Sequence, residues 1–219
     1  GSSSNSFKDG GERTVWVLRN TGEGFEDVTK ESELLKSRVS GDPDIGRPAD
    51  TVVWGDVDND GDLDAYTGFK KTSSSGRLED SAEIMLNNGD GTFDWGPLDN
   101  PVRRGGEVDA PGGATFLDYN RDGNLDLWVT QEGTSTTPAL QDRLYKGLGD
   151  GTFEDVTGDA GLETTGWRQV QSVDTLNNAE GHTRSWAANA CDLDGDGIPE
   201  LLSSSYGRAP NHLWDGSSD

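Results

Sequence analysis

Apolar positions in this chain fall in short runs separated by clusters of Gly, Asp, Asn and Ser. The runs include Thr51-Val-Val-Trp54, Leu63-Asp-Ala-Tyr-Thr67, Ala114-Thr-Phe-Leu117, Leu125-Asp-Leu-Trp-Val-Thr130, Ala187-Ala-Asn-Ala-Cys191 and Pro199-Glu-Leu-Leu202. They are brief, partly β-branched and aromatic, and bounded by turn formers, so they predict strands. A second pattern follows at a distance. Val15-Trp-Val-Leu-Arg-Asn20 leads through Gly22-Glu-Gly24 to Phe25-Glu-Asp-Val-Thr29. Ile84-Met-Leu-Asn-Asn88 leads through Gly89-Asp-Gly91 to Phe93, and Leu144-Tyr-Lys-Gly147 through Gly149-Asp-Gly151 to Phe153-Glu-Asp-Val-Thr157. Each reads as a strand, a tight turn and a second strand opening on Phe, which is a hairpin pattern. A fourth start, Asn211-His-Leu-Trp214-Asp-Gly216, stops inside the turn.

Joined in order, these elements give a unit of four antiparallel strands: strand, loop, strand, connection, strand, turn, strand. The sequence predicts a partial unit over 13–29, full units over 51–95 and 113–157, and a three-stranded partial unit over 186–214. The fold class expected is all-β: a β-propeller, or part of one, built of four-stranded blades in a single domain. One such blade cannot bury both faces, so neighbouring blades must stack. The segments at about 30–50, 69–80, 96–112 and 158–185 read as surface loops, with a helical turn at Glu31–Lys36.

The loop inside each unit carries the candidate chemistry. Asp56, Asp58, Asp60, Asp62 and Asp64 stand around Gly61; Asp118, Asn120, Asp122, Asn124 and Asp126 around Gly123; Asp192, Asp194, Asp196, Ile198 and Glu200 around Gly197. Oxygen-bearing side chains at positions 1, 3, 5 and 9 of one tight loop suit a hard cation wanting six to eight oxygens at about 2.3–2.6 Å, that is, calcium. Position 7 (Asp62, Asn124, Ile198) is expected to lend a backbone carbonyl. Position 12 is Thr67, Val129 and Ser203, so the bidentate Glu of an EF-hand is missing, and the flanks read as strand and not helix. About three calcium ions are expected, each fixing a strand–loop–strand turn. The second loop, with fewer acids and with Arg121, is expected to be the weakest.

Charge narrows the partners. The 219 residues carry 41 acids against 18 bases, a net −23, which repels nucleic acid and anionic membrane surfaces. With 31 glycines and 30% hydrophobic residues the composition suits short strands and turns. No apolar run approaches the length of a membrane span, and no signal peptide is visible; the opening Gly-Ser-Ser-Ser-Asn-Ser reads as a linker. The one cysteine, Cys191, excludes an internal disulfide and reads as a small core residue.

The phrases Val53-Trp-Gly-Asp-Val-Asp-Asn-Asp-Gly-Asp-Leu-Asp64 and Leu144-Tyr-Lys-Gly-Leu-Gly-Asp-Gly-Thr-Phe-Glu-Asp-Val-Thr-Gly-Asp-Ala-Gly-Leu162 resemble the FG-GAP and VCBS repeat propellers. They are most similar to the branch related to cartilage acidic protein and its bacterial relatives. Integrin α-subunit propellers are more distant, since their paired FG and GAP phrases are missing. The resemblance covers roughly 13–35, 46–95, 112–162 and 186–215. It implies a secreted or cell-surface protein, or a periplasmic one, that binds other proteins or glycans.

No catalytic constellation accompanies these loops. His182 and His212 read as surface-loop histidines, neither HExxH nor GxSxG occurs, and the Gly-rich turns lack a following GK[ST]. Trp16, Trp54, Trp128 and Trp214 are expected to pack between blades; Trp167, beside Arg168, either pins its own loop or meets a sugar or protein partner. The function expected is a calcium-stabilised extracellular module for adhesion or recognition. The alternatives are an accessory domain or fragment of a secreted polysaccharide-degrading or phospholipase-type enzyme, and a structural repeat of an extracellular assembly. Three and a half blades are too few to close a ring. The sequence therefore reads as a fragment of a longer chain or as one whose ring is completed by a second copy or a partner chain, and association is the outcome expected.

Overall fold

The computed structural model describes residues 15–40, 45–70, 80–104, 108–133, 140–166, 181–182, 184–205 and 211–216. Its strands are β1 (Leu18–Asn20), β2 (Phe25–Asp27), β3 (Thr51–Gly55), β4 (Asp64–Gly68), β5 (Glu83–Asn87), β6 (Phe93–Trp95), β7 (Pro111–Leu117), β8 (Asp126–Gln131), β9 (Arg143–Gly147), β10 (Phe153–Asp155), β11 (Thr165–Gly166), β12 (Gly181–His182), β13 (Ser185–Cys191), β14 (Glu200–Ser205) and β15 (His212–Trp214). Among the described residues the only helical element is a 3-10 turn at Pro101–Arg103. Two four-stranded antiparallel sheets, β3-β4-β5-β6 and β7-β8-β9-β10, are followed by a three-stranded one, β13-β14-β15. Strands neighbouring in sequence pair with each other, as hairpin connections dictate.

The sheets stack in layers. Val57, Tyr66, Ile84, Leu127, Val129, Tyr145 and Phe153 form the core between the first and second sheets. Leu117, Trp128, Leu144, Leu162 and Leu201 form the core between the second and third. The central strands β4 and β8 are buried at every position because each lies inside its sheet and under a neighbour on both faces. The first strands lie side by side, β3 against β7 and β7 against β13. A Cβ at Gly112 would stand 2.1 Å from the Ser185 carbonyl oxygen, so β7 approaches β13 closely only because that position has no side chain.

The repeated Asp-Val-Thr phrase has a local cause. Asp155 Oδ1 accepts from both the amide (3.1 Å) and the hydroxyl (2.6 Å) of Thr157, whose Oγ1 in turn accepts from the Leu144 amide at 3.1 Å. Asp27, Thr29 and Val17 repeat the arrangement in the first hairpin. A side-chain clamp thus continues the ladder one step past the last strand residue.

Several expectations fail for physical reasons. The described part of the 30–50 segment is not a solvated surface loop: Leu34 and Leu35 are buried against Ala65, Met85 and Phe93, covering the outer face of the first sheet. Residues 31–36 form turns closed by Ser32→Val28 and Lys36→Glu33 backbone bonds, and Lys36 bridges to Gly46. Arg47 is also buried there, donating to the carbonyl oxygen (3.2 Å) and hydroxyl (2.6 Å) of Thr67. The 158–185 segment contains the parallel pair β11–β12. Cys191 is exposed, since among the described residues no layer lies over the face of β13 that carries Ala187, Asn189 and Cys191. Trp128 and Trp214 belong to the core between sheets, but Trp16 and Trp54 are about half exposed at 53% and 49%. His212 is buried in β15 and stacked on Trp214 at 5.2 Å, not in a surface loop. Trp167, Arg168 and the side chain of His182 lie outside the described residues.

Candidate metal centre

Each acidic loop joins the first strand of a sheet to the second: 56–63 between β3 and β4, 118–125 between β7 and β8, 192–199 between β13 and β14. The sixth position takes positive φ in all three, 98° at Gly61, 87° at Gly123 and 85° at Gly197, as the sharp turn requires. The fourth position does so as well, at Asn59 (61°), Arg121 (59°) and Gly195 (82°). Sequence reasoning missed that second left-handed residue. Its signal was the residue choice, since Asn and Gly tolerate this region best.

The first carboxylate organises the turn. Asp56 accepts from the amides of Asp60 (3.1 Å) and Gly61 (3.0 Å), Asp118 from those of Asp122 (3.1 Å) and Gly123 (3.0 Å), and Asp192 from those of Gly195 (2.7 Å) and Gly197 (2.9 Å). The ninth-position acid ties the loop to the rest of its sheet. Asp64 accepts from Val57 within the loop and from Asn87 on β5, both at 2.8 Å; Asp126 accepts likewise from Tyr119 and from Gly147 on β9, both at 2.8 Å. A group held at this position is therefore coupled to three strands.

The loops differ in what converges. Ligand oxygens of Asp56, Asp58 and Asp64 lie within 4.8 Å of one another in the first loop. So do those of Asp192, Asp194 and Asp196 in the third, and those of Asp194, Glu200 and Asp215. Asp215 was not foreseen, since it comes from the end of β15 and only strand pairing brings it to the loop. No such acidic group forms in the second loop among the described residues. There Asp122 contacts Lys146 Nζ at 3.2 Å and accepts from Asn120 Nδ2 at 2.9 Å. Arg121 leaves its own loop altogether: its guanidinium donates to the carbonyls of Asp196 and Gly197 (2.8 Å) in the third. Asn59 makes the corresponding reach, from the first loop to Asn124 Oδ1 (3.2 Å) and the Gly149 carbonyl (3.3 Å). Asp60 and Asp62 line the first loop outside its converging group, Asp60 Oδ1 accepting from the Asp62 amide at 2.9 Å.

Crowding of carboxylates in these turns costs free energy. Burial, and then the charge of Asp60, push Asp58 above the ordinary carboxylate range. Burial pushes Asp64 up and takes Asp126 to about 6, against the pull of their two backbone donors. Asp122 moves the other way, held down by the Asn124 amide, Asn120 and Lys146. A cation at the first loop would relieve the repulsion that the protein otherwise carries there. The donor set of carboxylates and carbonyls, with no sulfur or imidazole, fits a hard ion.

Neither a known family model nor a curated protein matches the chain.

Proposed function

We propose that the chain is a calcium-stabilised β-propeller-type module that presents its loops to a protein or glycan outside the cell, without catalysing a reaction itself. The observation that carries the reading is the recurrence of one turn geometry in three loops, with carboxylates gathered in the first and third. Sheets stacked in sequence with their first strands adjacent support the blade arrangement. The resemblance of the loop phrases to FG-GAP and VCBS repeats supports calcium and an extracellular setting, where the ion is plentiful. In this reading Asp56, Asp58, Asp60 and Asp64, then Asp118, Asn120, Asp122 and Asp126, then Asp192, Asp194, Asp196 and Glu200 supply side-chain ligands, and residues 62, 124 and 198 supply carbonyls. The ion is structural: it cancels like charge and pins the turn between the first two strands of each blade.

Thermal unfolding with and without chelator tests this directly. A ligand bound only to the folded state adds about 2.7 kcal/mol per site at a hundredfold excess over Kd. Calcium at millimolar concentration is expected to raise Tm by several degrees or more over the chelated protein. An identical melt in both conditions, with no heat in a calcium titration, overturns the proposal.

A further inference from the structure

The third loop differs from the other two at one point that neither loop spacing nor charge count reveals. Strand register sets a residue directly across from each ninth-position acid. Extending the pairing Leu201↔Trp214 by one residue puts Asp215 opposite Glu200; extending Leu127↔Tyr145 puts Lys146 opposite Asp126; extending Ala65↔Met85 puts Leu86 opposite Asp64. One structural position thus holds an anion, a cation and an apolar residue in the three sheets.

The ninth-position acids respond differently to this change. In the first two loops both carboxylate oxygens accept backbone amides. In the third, Glu200 Oε2 accepts from Leu193 at 2.6 Å, but Oε1 is buried with no hydrogen-bond partner. Glu200 is only 5% exposed, and its carboxylate belongs to the group with Asp194 and Asp215, one ligand oxygen of each lying within 4.8 Å of the others. A buried carboxylate oxygen left unpaired beside two further carboxylates is costly, and among the described residues no side-chain cation makes an ion pair with Glu200 or Asp215. Arg121 serves the opposite end, 3.8 Å from Asp196 Oδ1. At the second loop the same cross-strand position sends Lys146 Nζ to 3.2 Å from Asp122.

We propose that Asp215 is a fifth carboxylate ligand of the third loop, and that the cross-strand residue sets each loop's affinity for a hard divalent cation. Asp215 strengthens the third site, Leu86 leaves the first to its own ligands, and Lys146 places the protein's own cation where it opposes a metal at the second. The longer Glu at position 200, where the other loops carry Asp, reaches toward Asp215 and centres the ion between Asp194, Glu200 and Asp215. This rests on the proposal that the loops take calcium.

Calorimetric calcium titrations of the full chain, repeated with terbium luminescence sensitised by the neighbouring Trp214, test it. Asp215 is exposed, so Asp215→Asn is expected to fold and melt as the parent does in chelator. It is expected to weaken the tightest site by about tenfold or more, since loop affinity follows the charge of its ligands. Lys146→Asp is expected to strengthen the weakest site. If the unmodified chain takes neither calcium nor terbium, both readings fall. If it binds, but Asp215→Asn leaves the tightest constant unchanged, this inference alone is overturned.

Discussion

Asp142 shows how one side chain can carry a pH dependence for the whole fold. It is 5% exposed at the foot of β9, where one of its oxygens accepts from the Gln131 amide at 2.8 Å. Burial outweighs that bond and pushes its pKa up to about 7. An acid whose folded-state pKa is raised holds its proton more tightly when folded. Its stabilising contribution is therefore complete below the unfolded value, about 3.9, and is lost as pH rises through 7. The loop acids Asp58, Asp64 and Asp126 shift the same way, so the parent alone does not isolate the effect. The difference between the parent and Asp142→Asn does. In chelator, the parent is expected to lose Tm relative to the variant between pH 4 and pH 7, and to run parallel to it above pH 8. Parallel curves across the whole range would show that Asp142 is not the buried acid that titrates.

At the scale of the element, the β7–β10 sheet is held by a loop at one end and a clamp at the other. The loop fixes the first two strands through backbone amides on carboxylates. The Asp-Val-Thr clamp fixes the last two through a hydroxyl. Thr157 is 1% exposed, and its Oγ1 is the acceptor of the Leu144 amide. Thr157→Val keeps the shape but leaves that buried amide unpaired, at a cost of about 1–3 kcal/mol. Urea unfolding is expected to show a lower midpoint at unchanged slope. The same change at Thr29 is expected to cost less, because the β1–β2 hairpin it closes is exposed along both strands. Equal losses at the two sites would mean that burial around the clamp does not set its value.

At the scale of the whole molecule, the two ends of the stack are unlike its middle. The first and second sheets are covered on both faces, whereas Trp16, Leu18 and Phe25 at one end and Trp186 and Leu213 at the other are half exposed or more. Among the described residues the β1–β2 hairpin pairs with no further strand, and β15 is paired on one side only. Exposed aromatic faces and unpaired edges favour association with another chain. Light scattering coupled to size exclusion is expected to give a mass above the 23.4 kDa of one chain. A strict monomer at high concentration would reject self-association as the way the stack is completed.

The sequence by itself did not determine the parallel pair β11–β12, but it did determine the antiparallel strands, their pairing order and the three acidic turns. These are local properties: alternating apolar runs specify strands, short turns force neighbours to pair, and a glycine at the sixth position marks a left-handed residue wherever it lies. The tertiary structure decided what distance along the chain conceals. Leu34, Leu35 and Arg47 sit in a segment that reads as polar loop, yet the first sheet needs a cover, and they supply it. Cys191 and Trp54 look like core residues by composition and are exposed, because burial depends on whether a layer lies over that face. The sequence separates the loops by their own acids, but Asp215, Lys146 and Leu86 face them only through strand register. Spacing along the chain chooses a loop's own carboxylates. Pairing across the sheet chooses the charge that faces them.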